Sequence, residues 1–127
     1  MPWTVLIADD DAQLCDSLAM GLRHELPRSG TIHTATSIDE AVRLLDAAPQ
    51  DRPLFVLSDY NFREARTGVT ILERAARHAL STRWLMSGEN EEEIASKTEG
   101  LALDGLFLKP FVFTTVAREI ARRLPIQ

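Results

Sequence analysis

The sequence predicts a doubly wound α/β domain, a five-stranded parallel sheet with helices on both faces. Two observations predict it. Short apolar runs recur along the chain, and the stretches between them carry helical spacing. Glycines and prolines (Pro27, Gly30, Pro49, Pro53, Gly68, Gly100, Gly105) fall at the boundaries. Five strands alternating with five helices bury a parallel sheet on both faces.

The first strand is read at residues 3–8, where WTVLIA runs into three acids, Asp9, Asp10 and Asp11. Leu14, Leu18, Leu22 and Leu26 form the stripe of the first helix. A weaker strand follows at 31–36, then a helix marked by Ile38, Val42 and Leu45. The third strand is read at 54–57 and the third helix along Val69, Leu72 and Ala76. The fourth strand is read at 84–86, before a short acidic helix anchored by Ile94. The fifth occupies 106–108, and Val112, Val116, Ile120 and Leu124 mark the last helix.

The chain of 127 residues suits one domain with a real core, and the reading leaves nothing for an output domain after Leu124. Net charge is −5, which argues against nucleic acid as a direct partner, since a phosphate backbone needs a basic face. No cleavable signal is visible, and no apolar run approaches the roughly 20 residues that a membrane span needs. The single Cys15 excludes an internal disulfide and suits a reducing, cytoplasmic setting. It lies among the apolar positions of the first helix, where packing is the expected role. His24, His33 and His78 lack ligand-like spacing, so surface or packing roles are expected for them too.

In a parallel α/β sheet the ligand site lies beyond the carboxyl ends of the strands. Strand one delivers Asp9, Asp10 and Asp11 there; strand three, in LFVLSDYN, delivers Ser58, Asp59 and Asn61. Strand four delivers Ser87 and Gly88, and strand five delivers Lys109 and Pro110. Converging carboxylates at neutral pH repel one another and need a cation. Oxygen ligands without Cys or His select a hard ion such as Mg²⁺. A carboxylate beside that ion can act as a nucleophile toward phosphorus, with a lysine and a hydroxyl neutralising the transferring group.

Four motifs, VLIADDD, VLSDYN, LMSG and LKPF, each follow a predicted strand. Through them the chain resembles, over essentially its whole length, the receiver domain of two-component response regulators. The resemblance implies the flavodoxin-like strand order 2-1-3-4-5. It implies that Asp59 is the phosphoacceptor and that Mg²⁺ is held by Asp9, Asp10, Asp59 and the backbone carbonyl of Asn61. Ser87 matches the switch hydroxyl and Lys109 the phosphate-binding lysine, and the Lys109–Pro110 bond falls where the family has a cis peptide. Asp11 has no family role and is read as the N-cap of the first helix. Implied partners are a sensor histidine kinase or a histidine phosphotransfer protein upstream and a protein effector downstream, with homodimer formation an open option. Such a domain is not an enzyme toward other substrates; it catalyses only its own phosphorylation and dephosphorylation.

The chain departs from that pattern in two places. The loop DYNFREARTG lacks the family's proline, and Gly68 stands one residue late. Arg63 and Arg66 make the loop partly basic, where they either attract an anionic donor or are simply solvated. In strand five the family's switch aromatic is replaced by Leu106, while Phe107 alternates to the other face. A smaller or differently routed rearrangement is therefore expected, with residues 62–67 and 90–94 carrying more of it. Asn61 and Glu89, two places beyond the acceptor and the switch hydroxyl, match the lifetime-tuning pair of the chemotaxis receiver and imply rapid loss of phosphate.

The competing reading is a small Mg²⁺-dependent phosphatase resembling the haloacid dehalogenases, with Asp9 as nucleophile in an Asp9-x-Asp11 motif and with Ser87 and Lys109 in support. That family needs an acidic pair after the lysine, and beyond Lys109 the only acid is Glu119. A receiver-like scaffold that is never phosphorylated is a third reading, and the intact set Asp9, Asp10, Asp59, Ser87 and Lys109 speaks against it.

Overall fold

The computed structural model describes residues 2–124. Its elements follow the order β1 (Thr4–Ala8), α1 (Ala12–Glu25), β2 (Thr31–Ala35), α2 (Ile38–Ala47), β3 (Leu54–Asp59), α3 (Gly68–Ala75), β4 (Ser81–Ser87), α4 (Glu91–Lys97), β5 (Gly105–Leu108) and α5 (Phe113–Arg123). All strand pairs are parallel and the sheet order is β2-β1-β3-β4-β5, as the resemblance implied.

Alternation along the strands builds two cores. Val5, Ile7, Phe55, Leu57, Trp84, Met86 and Phe107 face α1 and α5. Leu6, Ala8, Leu54, Val56 and Leu85 face α2, α3 and α4. Each side chain that these layers remove from water stabilises the fold by about 25 cal/mol per Å² of apolar area. Trp84 anchors the first core. It stacks on Phe55 at 5.9 Å between ring centroids and meets Phe107 edge-on at 5.6 Å.

Four of the five helices, α1 to α4, start where side-chain oxygens satisfy free amides. Asp11 accepts from Gln13 N and Leu14 N, which bears out its reading as the α1 cap. Ser37, Thr67 and Asn90 do the same for α2, α3 and α4. Cys15 is buried, its Sγ 3.4 Å from the Asp9 carbonyl oxygen, and burial pushes the thiol up to about 12; packing is its role. His78 is also a packing residue. Its Nδ1 accepts from Leu80 N, so Nε2 carries the proton and donates to the Pro49 carbonyl at 2.8 Å.

Several sequence expectations need correction. Strand β4 begins at Ser81, three residues before the apolar run, because Ser81, Thr82 and Arg83 pair with Leu54, Phe55 and Val56 of β3. A backbone ladder holds whatever side chains it carries, so their polarity hid the strand start. Strand β3 runs on to Asp59, so the acceptor candidate is itself a strand residue. In α3 the buried face is Gly68, Ile71, Leu72 and Ala75; Ala76 is exposed, one step off the face that β3 and β4 select. In α2, Ala41 is buried and Val42 only half-buried. Val112 precedes α5 as its N-cap residue and is 63% exposed, so it is not part of the core stripe.

Candidate functional site

The strand order sets β1 between β2 and β3, and β3 beside β4, so their carboxyl ends share one edge. Asp9 and Asp10 leave β1 there, Asp59 ends β3, Ser87 ends β4, and Lys109 follows β5. One ligand oxygen from each of Asp9, Asp10 and Asp59 can be chosen so that all three lie within 4.8 Å of one another. Lys109 Nζ enters this cluster, donating to Asp9 Oδ2 at 2.7 Å and standing 3.0 Å from Asp59 Oδ1. The Lys109 amide donates to the Ser87 carbonyl at 2.7 Å, which ties the lysine's backbone to the end of β4. The Lys109–Pro110 bond is cis, as expected.

Asp9 is fully enclosed and both its oxygens are engaged: Oδ1 accepts from Asp11 N at 2.9 Å and Oδ2 from Lys109. Ser87 is buried, and its Oγ accepts from Glu89 N at 3.0 Å, which leaves its own proton to donate.

The charges oppose one another here. Burial, followed by the nearby Asp9 charge, holds the Asp59 carboxyl above its ordinary range, against the opposing pull of Lys109. Burial alone would lower Lys109, but its hydrogen bonds to Asp9 and Asp59 outweigh it and raise the ammonium. A carboxylate whose folded value exceeds its unfolded value binds the extra proton in the native state. It therefore destabilises the fold at neutral pH, and that cost fades as pH falls through the folded value. In metal-free buffer Asp59→Asn should therefore raise stability at pH 7 by about 1 kcal/mol. Lys109 keeps Asp9 as partner in that variant. The two melting curves should converge on acidification toward pH ~4, where the unfolded carboxylate also protonates. A lower melting temperature for Asp59→Asn at pH 7 would contradict this account of the cluster.

The donor set fits a hard cation. It is all oxygen, carries more negative charge than Lys109 cancels, and sits at a sheet edge reachable from water. Both Asp9 oxygens are engaged, so Asp10 and Asp59 would be the direct ligands of such a cation, with Asp9 beside them. The Asn61 side chain does not join the acids; its Nδ2 points to Glu89 Oε1 at 3.5 Å.

Of the loop arginines, Arg66 is paired with Asp39 and Glu64, and Arg63 lies 3.5 Å from Asp10 Oδ2. The loop is not wholly solvated, because Phe62 is buried in the core beneath it. Leu106 packs half-buried on the α2–α3–α4 side and Phe107 on the α1–α5 side, as strand alternation required.

Two residues escaped the sequence reading. Lys97 grips Glu89, and no local spacing announces a pair joined across a loop and a helix. Tyr60, directly after the acceptor candidate, carries the Lys97 ammonium over its ring at 5.3 Å from the centroid. The phosphatase reading gains no support. Asp11 spends its carboxylate on capping α1, and Glu119 is paired with Arg122 and Arg123 along α5.

No protein-family model matches the chain, and no curated protein matches it. Solved structures do. The chain is similar to a CheY-like response regulator receiver domain protein from Methanospirillum hungatei, with TM-score 0.77, 18% identity, and 97% and 94% of the two chains covered. It is similar to the chemotaxis protein CheY4 of Vibrio cholerae, with TM-score 0.78, 19% identity, and coverage of 98% and 100%. It is also similar to the response regulator TrrA of Thermotoga maritima, solved in complex with Mg²⁺ and BeF, with TM-score 0.75, 19% identity, and coverage of 95% and 98%. The chain has the receiver fold over nearly its whole length. No helix among the described residues is long and apolar enough to cross a membrane.

Proposed function

We propose that this chain is a phosphoacceptor receiver of a two-component phosphorelay, with Asp59 as the residue that carries the phosphoryl group. The observation that carries this reading is the meeting of Asp9, Asp10 and Asp59 with Lys109 at one sheet edge, beside the buried Ser87 hydroxyl.

An Asp59 carboxylate oxygen attacks the phosphorus of a phosphohistidine or a small acyl phosphate; the new O–P bond forms as the bond to the donor breaks, and the electron pair leaves with the donor. Bound Mg²⁺ would neutralise charge on the transferring group, with Asp10 and Asp59 as its direct ligands and Asn61 and Asp9 completing the site. Lys109 needs only to shift its hydrogen bonds from the carboxylates to a phosphoryl oxygen, and Ser87 donates to another.

The phosphoryl group adds about −1.5 to −2 charges, which biases a surface between two arrangements. Ser87 turning toward it vacates room on the Leu106 side. Leucine fills less of that room than a ring, so the response is smaller or passes through residues 62–67 and the start of α4. Asn61 and Glu89 set how long the state lasts. An apolar recess of about 460 Å³ opens beside Lys109, lined by Leu14, Leu18, Phe111, Val112 and Phe113. It offers a docking surface to a sensor histidine kinase or histidine phosphotransfer protein in the cytoplasm. A protein effector reads the result, and homodimer formation is one form that output can take.

Mass-spectrometric mapping of the labelled peptide tests the assignment, since a receiver carries label on Asp59 and a dehalogenase-like phosphatase on Asp9. Mg²⁺ titration gives a second check. Asp10→Asn should weaken Mg²⁺ at least tenfold through loss of a hard anionic ligand, and an unchanged affinity would remove Asp10 from the site.

A further inference from the structure

Glu89 sits between two groups whose chemistry it joins. Lys97 Nζ, on the last residue of α4, lies 2.7 and 2.8 Å from its two carboxylate oxygens. Asn61 Nδ2 reaches the same Oε1 at 3.5 Å. The same ammonium stands over the Tyr60 ring, so one α4 side chain meets both the residue after Asp59 and the residue two beyond Ser87. The carboxylate is the more enclosed partner, its side chain 21% exposed against 44% for the lysine.

We propose that Lys97 is a positioning residue for the loss of the phosphoryl group from Asp59: by gripping both oxygens of Glu89 it holds that carboxylate against Asn61, so that the two side chains together orient the attacking water. This inference rests on the phosphoacceptor reading. In the hydrolysis, the water oxygen forms a bond to phosphorus while the bond from phosphorus to the Asp59 oxygen breaks. The bonding pair returns to the Asp59 carboxylate, and the water proton leaves with inorganic phosphate or to solvent.

A water attacking in line is held by a donor and an acceptor fixed relative to each other. The Asn61 amide supplies a donor and the remaining lone pairs of Glu89 supply acceptors. Glu89 by itself cannot hold that place. Its side chain is flexible and can swing to solvent. Lys97 supplies the tether. Because the tether is on α4, a displacement of α4 changes the water's orientation, and by linkage the loaded state changes the balance of α4 positions.

The experiment loads wild type, Lys97→Ala, Lys97→Gln, Lys97→Arg, Glu89→Ala and the Lys97→Ala/Glu89→Ala double variant from acetyl phosphate with Mg²⁺. The donor is then removed and the phosphorylated mass is followed as it decays, with thermal melting of each variant as the control for folding. Lys97→Ala and Lys97→Gln should decay about threefold more slowly than wild type, the size expected for orientation by a partly exposed ion pair. Lys97→Arg should recover most of the wild-type rate. In the Glu89→Ala background Lys97→Ala should have no further effect, because its action runs through that carboxylate. Equal slowing by Lys97→Ala with and without Glu89 would overturn the proposal and leave Lys97 an anchor for α4, and so would wild-type decay in both single lysine variants. A wild type that takes up no label overturns the phosphoacceptor reading itself and this inference with it, an outcome distinct from normal labelling with unaltered decay.

Discussion

Asp59→Ala should take up no phosphoryl group from acetyl phosphate and Mg²⁺, while the wild type should gain one, read as intact mass. This is the expected result because each other carboxylate near the edge already has another task. Asp9 is closed in by Lys109 and by the Asp11 amide, and Asp11 caps α1. Asp10 has the exposure to accept but, in the proposed reading, is the carboxylate that would hold the cation. Lys109→Ala should lose response more than fold, with uptake slowed by about 10²-fold, the usual effect of removing one preorganised donor from a developing charge. The lysine already points inward, with Asp9 and Asp59 holding its ammonium where a phosphoryl oxygen on Asp59 would arrive. Wild-type levels of label in Asp59→Ala would mean that the acceptor is another residue.

Gly68→Ala is expected to lose about 2–3 kcal/mol of stability, a large part of what a small domain has. A Cβ built there would stand 1.9 Å from the Asp59 carbonyl oxygen, 2.9 Å from Ser58 Oγ and 3.0 Å from the Asp59 carbonyl carbon. Two of these three are backbone atoms, so no rotamer change relieves the overlap. The helix start is also tied down, because the Gly68 amide donates to the Tyr60 carbonyl at 2.8 Å. Relief requires α3 to move away from the end of β3, which would displace Asp59 as well. Melting should therefore fall by about 3–5 °C for each kcal/mol lost, with slower phosphorylation of what remains folded. Gly88→Ala is the control: its Cβ would meet nothing within 4 Å, so its stability should stay within about 0.5 kcal/mol of wild type. Equal melting temperatures for the two alanine variants would show that the loop before Gly68 gives way at no cost.

The proline-free loop shows how far the residues could be read in advance. Displacement of Gly68 by one place was visible in the sequence, but its consequence was not. Only the approach of α3 to β3 makes the position intolerant of a side chain. Arg63 and Arg66 looked alike in sequence, yet Arg66 is locked by Asp39 and Glu64 while Arg63 stays by Asp10. Fold class and strand-end chemistry were legible because both depend on local pattern. Apolar runs three to six residues long end in acids, a serine or a lysine at the carboxyl ends of four of the five strands.

What the sequence by itself determined is therefore local: the alternation of strands and helices, the Asp11 cap, the packing role of Cys15, and the residue types at each strand end. A helix repeat, a strand alternation and a cap span only a few residues, so their physics is written within the segment that obeys it. Tertiary structure decided everything that depends on register and crossover. It brought Lys109 to Asp9 across 100 positions of chain, turned α3 onto Ile71 and Ala75 rather than Ala76, and started β4 on polar residues. It also closed Lys97 onto Glu89. Each of these contacts is set by how separate segments pack against one another, and no single segment carries that information.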